Sequence, residues 1–337
     1  MRIGIITIYD AYNYGSFLQA FAMQEFLRQM GHQPVILCYD TSLHDFVVRK
    51  LFAKSVKRTI FKLRRFLTYR KDWKKLNIEN HLNVSSLDCV IVGSDEVWNI
   101  ENSSFSHIPQ FYGIECPSSR IIAYGPSLGY STNGSYDGMD VLKAGLRDKF
   151  TGFMVRDLFT YDFLKEITTK QIEMVCDPTL LLATKWEEYQ ESFEIDKPYL
   201  LYYSYKEDSP YIDVIKKYAK EKGLMVVVAG FNYEWADKVI LPTPLQFLSI
   251  VKNANCIVTS TFHGTVFSTL LHKQFVVVHP AVKVTDYLNQ LGLTREVNNS
   301  SEEFFDLMSN VIDYNIVDLR IDKWKEESIS KMLKYLQ

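Results

Sequence analysis

Four short stretches of the chain gather side chains suited to proton transfer or anion binding. The first is Gly93-Ser94-Asp95-Glu96-Val97-Trp98-Asn99, directly after the apolar run Cys89–Val92. A carboxylate set just past a strand by a glycine exit can orient or deprotonate a hydroxyl. Asp95 is the candidate, with helix capping as its ordinary alternative. Trp98 offers a flat ring to a sugar or, equally simply, to the core. The second is Val155-Arg156-Asp157. A guanidinium grips carboxylate or phosphate through two parallel donors, and an Arg-Asp pair also serves as a structural ion pair. The third, Thr259-Ser260-Thr261-Phe262-His263-Gly264-Thr265, collects hydroxyls and an imidazole at an expected helix start. The fourth, Asn13-Tyr14-Gly15-Ser16, opens another helix. Its free N–H groups favour an anion or polar ligand, and Asn13 or Ser16 can equally act as a cap.

The surrounding pattern says what must hold these loops. Arg2–Ile8 is an apolar run, a helical spacing follows through Phe17, Ala20, Phe21, Met23, Gln24 and Leu27 to Gly31, and Pro34–Tyr39 is apolar again. Strand, helix, glycine and strand within about 40 residues make a βαβ unit and hence a parallel sheet. Further strands are expected at 88–92, 120–124, 152–155 and 172–176, closed by Asp177-Pro178. A second series starts after Lys185, with strands at 198–203, 224–229, 239–241, 256–259 and 275–278. Its helices are expected near 210–222, 245–253 and 263–271, and the stretch from Ser301 is mostly helical. The expected architecture is α/β, two Rossmann-like domains facing a cleft. The first takes residues 1–182, with a basic helical insertion at 45–80, and is rejoined by a C-terminal helix at 318–337. The second takes 183–317. Each chemical loop follows a strand, and ligands of open parallel sheets bind at the carboxyl ends of strands.

Composition narrows the classes. The 337 residues are 47% apolar and 23% charged, with 38 Lys+Arg against 40 Asp+Glu, so a general nucleic-acid binder is not indicated. The five cysteines form no C-x-x-C pair and no zinc spacing, which suits a reducing compartment. No signal peptide or spanning segment is legible, so the expected location is the cytoplasm. Residues 49–75 break the balance with 12 Lys/Arg against Asp72 alone. Leu51, Phe52, Val56, Ile60, Leu63 and Leu67 recur there at three-to-four spacing, which predicts a basic amphipathic helix or helix pair. Such a helix either docks on an anionic membrane, placing the protein at its inner face, or packs on the domain with a solvated basic face.

Together, Asn13-Tyr14-Gly15-Ser16, Val92-Gly93-Ser94-Asp95 with Trp98-Asn99, Tyr124-Gly125-Pro126-Ser127, Arg156-Asp157, Asp177-Pro178-Thr179 and Ser260-Thr261-Phe262-His263-Gly264 resemble, in order, the motifs of the polysaccharide pyruvyl transferase family. The resemblance spans about residues 1–280. It implies a fold similar to GT-B glycosyltransferases and transfer of pyruvate from phosphoenolpyruvate onto two sugar hydroxyls as a ketal, in surface polysaccharide synthesis. By the same resemblance His263 and Asp95 are catalytic and Arg156 grips the donor, and Asn13, Ser16, Ser260 and Thr261 are of the type to bind it as neutral donors. Ser94, Trp98 and Asn99 bind the acceptor, a glycan or lipid-linked oligosaccharide. No metal or other cofactor is called for. The chain departs from the family in carrying Thr261 where an Arg precedes the histidine by two places, so either Lys273, Lys283 or another cation compensates, or the donor is not phosphoenolpyruvate. The alternative reading is a GT-B-like glycosyltransferase using a nucleotide-sugar.

Overall fold

The computed structural model describes residues 1–38, 55–102, 108–298 and 300–337. Expectations for Tyr39 and for 45–54 fall outside them. The chain divides into two units: Met1–Ala53, Trp73–Leu182 and Lys323–Gln337 form the first, and Lys54–Asp72 with Ala183–Asp322 the second.

The strands of the first unit are β1 (Arg2–Ile6), β2 (Gln33–Cys38), β3 (Ile78–Asn80), β4 (Cys89–Val92), β5 (Ile121–Tyr124), β6 (Gly152–Val155) and β7 (Ile172–Met174). They lie in the order β3-β2-β1-β4-β5-β6-β7, every pair parallel. β1, β4, β5 and β6 are buried almost throughout, as continuous apolar runs demand when helices cover both faces. Helix α1 (Tyr14–Gln29) is buried from Tyr14 to Leu27 and ends at Gly31, whose φ of 80° is left-handed. Its buried Gln19 amide donates to Thr7 Oγ1 and the Ile8 carbonyl, both at 2.9 Å. A polar side chain inside a helix packed on all sides is tolerated only with such partners.

Next come α2 (Val56–Arg70) in the second unit and α3 (Asp140–Lys149), α4 (Leu158–Ile167) and α5 (Pro178–Leu182) in the first. The second unit continues with α6 (Trp186–Tyr189), β8 (Tyr199–Tyr203), α7 (Ile212–Glu221), β9 (Met225–Ala229), β10 (Lys238–Ile240) and α8 (Pro244–Asn253). It closes with β11 (Cys256–Thr259), α9 (Phe262–Leu270), β12 (Phe275–Val278), α10 (Val282–Leu291), β13 (Glu296–Val297) and α11 (Ser301–Ser309). Its sheet, again parallel, runs β10-β9-β8-β11-β12-β13. The final helix α12 (Tyr314–Leu336) belongs to the first unit from Lys323 onward. There Ser328 accepts the Cys176 N–H at 2.9 Å and Lys331 reaches the Met174 carbonyl at 2.8 Å.

One boundary differs from expectation. The basic helix is not an insertion of the first unit: α2 packs on the second. Phe66 and Tyr69 are buried, Arg65 lies over the Phe231 ring at 5.1 Å, and Asp72 accepts the Leu245 N–H at 2.9 Å. These contacts join segments far apart in sequence, so spacing alone does not reveal them.

Each sheet has one place where the connections change direction. After β1 the chain builds outward to β2 and β3, then returns to β4 on the other side of β1. After β8 it builds to β9 and β10, then returns to β11. At these points adjacent loops part and leave a crevice at the carboxyl edge. The crevice loops are those after β1 and β4 in one unit and after β8 and β11 in the other.

Candidate active site

In the first unit, loops after β1, β4, β6 and β7 join in one polar network. Ser16, in the first turn of α1, donates to Asp95 Oδ2 at 2.6 Å. Arg156, just past β6, pairs with Asp177 through Nη1 and lies 3.6 Å from Asp95 Oδ1 through Nη2. The same Nη1 donates to Ser94 Oγ at 3.0 Å, and Ser94 donates to the Gly125 carbonyl at 2.9 Å. Asp177 uses Oδ1 to accept Thr179 Oγ1 at 2.7 Å and the Thr179 N–H at 3.0 Å, pinning the start of α5. Burial opposes the guanidinium's charge, but the carboxylates of Asp177, Asp95 and Asp157 outweigh it and raise the pKa of Arg156.

Exposure is graded across this network. The side chains of Arg156 and Asp177 are 2% and 1% exposed, and that of Asp95 is 12%. Asp95 is buried too, but its carboxylate is the least covered charged group of the three. Its φ of 69° is a left-handed conformation that Asp tolerates better than most residues, and such backbone often marks functional sites. The loop is held from behind: Asp95 bridges Pro126, and its carbonyl accepts the Ser127 N–H at 2.9 Å. Gly93, at φ 108°, has no room for a side chain, since a Cβ there would lie 2.5 Å from the Tyr124 carbonyl oxygen. The Gly125-Pro126-Ser127 and Asp177-Pro178-Thr179 motifs thus support Asp95 and Arg156, and Asp177 is a member of the network that sequence reasoning gave no role. Its signal was the strand-end position just before a proline.

Several expected roles need correction. Trp98 is fully buried, donates from Nε1 to the Phe111 carbonyl at 2.8 Å and packs edge-on to Phe150 and Phe153. It is a core ring and presents no face to an acceptor. Asn99, 1% exposed, spends its amide on Ser131 and Glu96, both at 2.8 Å. Ser94 is likewise sealed and positions Arg156. Asn13 is the N-cap of α1, accepting the Gly15 N–H at 3.0 Å, and Asp157 caps α4 through Thr160.

In the second unit, Thr261 caps α9 by accepting the Gly264 N–H at 3.0 Å and touches Thr259 Oγ1 at 3.1 Å. Ser260 shares a 2.7 Å hydrogen bond with Ser204, a residue of the β8 loop absent from the sequence candidates. His263, 5% exposed, stands in the first turn of α9 edge-on to Phe262. Lys283 Nζ lies 6.0 Å over the same Phe262 ring. Lys273 precedes β12, at the opposite edge of the sheet, and donates to the Lys252 carbonyl at 2.8 Å, so it does not stand in for the missing guanidinium. Among the described residues no group of three His, Cys, Asp or Glu is arranged to hold a metal ion.

Asp10, in the β1–α1 loop, was also missed. Burial, outweighing a hydrogen bond from its own backbone, raises its carboxyl to about 6. The native state then holds this proton more tightly than the unfolded chain. Its contribution to stability is complete below about pH 4 and is lost as pH rises through about 6. Asp10→Asn is therefore expected to stabilise the protein by about 1–3 kcal/mol near neutral pH and to match the parent near the unfolded carboxyl pKa. Urea unfolding of both proteins at the two pH values checks this; equal midpoints at neutral pH would contradict it.

The sequence model of the polysaccharide pyruvyl transferase family matches residues 13–279, a span that takes in every motif from Asn13 to Gly264. No curated protein sequence matches significantly. Among solved structures, the UDP-GlcNAc 2-epimerase of Neisseria meningitidis bound to UDP-GlcNAc is 10% identical, with a TM-score of 0.55 over 100% of this chain and 99% of that one. The UDP-GlcNAc 2-epimerase of Methanocaldococcus jannaschii is 12% identical, with a TM-score of 0.53 over 93% of each chain. An alpha-glucosyltransferase in complex with UDP and a 13-mer DNA is 10% identical, with a TM-score of 0.51 over 99% of each. At such identities the likeness is one of fold: two parallel-sheet α/β units of the GT-B type.

Proposed function

This chain belongs to the polysaccharide pyruvyl transferase family, and from that premise we propose that it transfers pyruvate from phosphoenolpyruvate to two hydroxyls of one sugar, forming a ketal and releasing phosphate. The observation that carries the reading is Asp95. It is a carboxylate at the crevice beside β1 and β4, held by Ser16 and by the buried Arg156–Asp177 pair, and its side chain is the least buried of the three charged ones.

The chemistry needs a base, an acid and cationic or N–H donors. In this reading Asp95 takes the proton of the first acceptor hydroxyl as its oxygen attacks C2 of the donor. His263 delivers a proton to the methylene carbon, which becomes the methyl group of the ketal. The C2–O bond to phosphate then breaks, and the second hydroxyl adds to C2 as its proton passes to the departing phosphate. Ser260 and Thr261 serve the donor as neutral hydrogen-bonding groups, while Ser16 holds Asp95 and Asn13 caps α1. Lys283 is the cation assigned to the donor in the place of the family arginine. Arg156 serves the donor through the field it adds beside Asp95, its direct bonds being made to Asp177 and Ser94.

The test is ligand-dependent melting of the full-length protein. Phosphoenolpyruvate at a hundredfold excess over its dissociation constant is expected to stabilise by about 2.7 kcal/mol, while UDP- and GDP-sugars leave the melting point unchanged. Acceptor-dependent phosphate release should follow. A shift with a nucleotide-sugar and none with phosphoenolpyruvate would replace this reading with a glycosyltransferase.

A further inference from the structure

Helix α2 has two apolar faces, and the second unit uses one of them. Phe66 and Tyr69 are buried, and Arg65 lies over Phe231 of the second unit. Val56, Ile60, Leu63 and Leu67 are 77%, 50%, 46% and 56% exposed. Their spacing of four, three and four residues sets them within about 60° of one another on the helix, away from Phe66 and Tyr69. Single exposed aliphatics are ordinary, but four in one stripe mark a contact surface. Lys57, Arg64 and Lys71, each seven residues apart, run along one side of the stripe, and Arg70 lies on the other. From Val56 to Lys71 there are seven Lys/Arg and no acid. The row Lys57, Arg64 and Lys71, with Ile60, Leu67 and Leu241, also lines an open groove of about 770 Å³ within the second unit.

We propose that this face of α2 docks the protein on an anionic phospholipid bilayer, with the aliphatic stripe in the interface and the flanking cations at the headgroups. Charge decides against a second copy, because two such helices would bring like charges together. The stripe also lacks the Trp and Tyr anchors that dominate protein–protein hot spots. A row of aliphatics between long cations that can extend to the headgroups fits a fluid, negatively charged surface. Among the described residues no helix is long and apolar enough to cross a membrane, so α2 would lie on the surface without spanning it. This inference is independent of the donor proposed above.

The experiment is flotation of the full-length protein with vesicles of phosphatidylcholine alone or with about 30 mol % phosphatidylglycerol. Co-flotation only with the anionic vesicles, weakened by salt, is expected. Ile60→Ser with Leu67→Ser should lower the bound fraction at least about tenfold, and Lys57→Gln with Arg64→Gln and Lys71→Gln should do the same. Circular dichroism and melting should be unchanged, since these side chains are exposed. Equal flotation with both vesicles overturns the proposal, as does flotation with neither. So does binding to lipid-free polyglutamate that matches vesicle binding and ignores the serine substitutions, or a dimer that those substitutions dissolve.

Discussion

Asp95→Asn is expected to lower kcat by about 10²–10⁴ while leaving donor affinity within a few-fold, because it removes the proton acceptor and keeps the shape. The amide oxygen can still accept the Ser16 hydroxyl, which lies 2.6 Å from Oδ2 in the native site. Arg156 keeps its pairing with Asp177, so the fold should tolerate the change at a cost of about 1 kcal/mol. Steady-state kinetics with acceptor, direct donor titration and melting separate the three effects. A drop in kcat with unchanged donor binding and melting supports the base assignment. Turnover within threefold of the parent, measured on folded protein, would remove Asp95 from the reaction.

Arg156→Met carries the largest expected effect on stability. It leaves Asp177, 1% exposed, with no guanidinium, and takes the charge from beside Asp95. Removing one partner of a buried ion pair costs about 3–5 kcal/mol, since the remaining charge has neither water nor counter-ion. For a unit of this size that lowers the melting point by roughly 6–20 °C. Adding Asp177→Asn removes the stranded charge and should recover part of the loss, a coupling a double-mutant cycle reads directly. Arg156→Lys should recover less than full stability, since an ammonium cannot fork to Asp177 and Ser94 while facing Asp95. If Arg156→Met instead melts like the parent and has lost only phosphoenolpyruvate affinity, the guanidinium is a donor ligand and the ion network is incidental.

Much of the fold was legible because parallel sheets need uninterrupted apolar strands. Cys89–Val92, Gly152–Val155, Cys256–Thr259 and Phe275–Val278 coincide with β4, β6, β11 and β12. β3 has three residues, one of them apolar, and owes its existence to pairing with β2. Helices α3, α4 and α10 are ten residues each and amphipathic, and lie between strands where the strand pattern dominates the reading. The strand expected over Arg2–Ile8 stops at Ile6, because the backbone turns there toward the crevice.

The candidate site divides in the same way. Residue type and strand-end position single out Asp95, Arg156 and His263 as candidates, whereas the pairing of Arg156 with Asp177 needs β6 and β7 side by side. Trp98 and Asn99 were misread, because a ring or an amide just past a strand can turn to solvent or inward, and only packing against Phe150 and Phe153 or bonding to Ser131 decides which.

The order and type of the residues were enough to determine two successive parallel-sheet units and the family motifs, since strand burial and loop chemistry are local properties of the chain. Only the tertiary structure decided that Arg156 is shared between Asp177 and Asp95, that the basic helix packs on the second unit, and that the described residues leave its Val56–Leu67 stripe exposed. Each of these depends on which distant segments meet, and a one-dimensional pattern holds no distances.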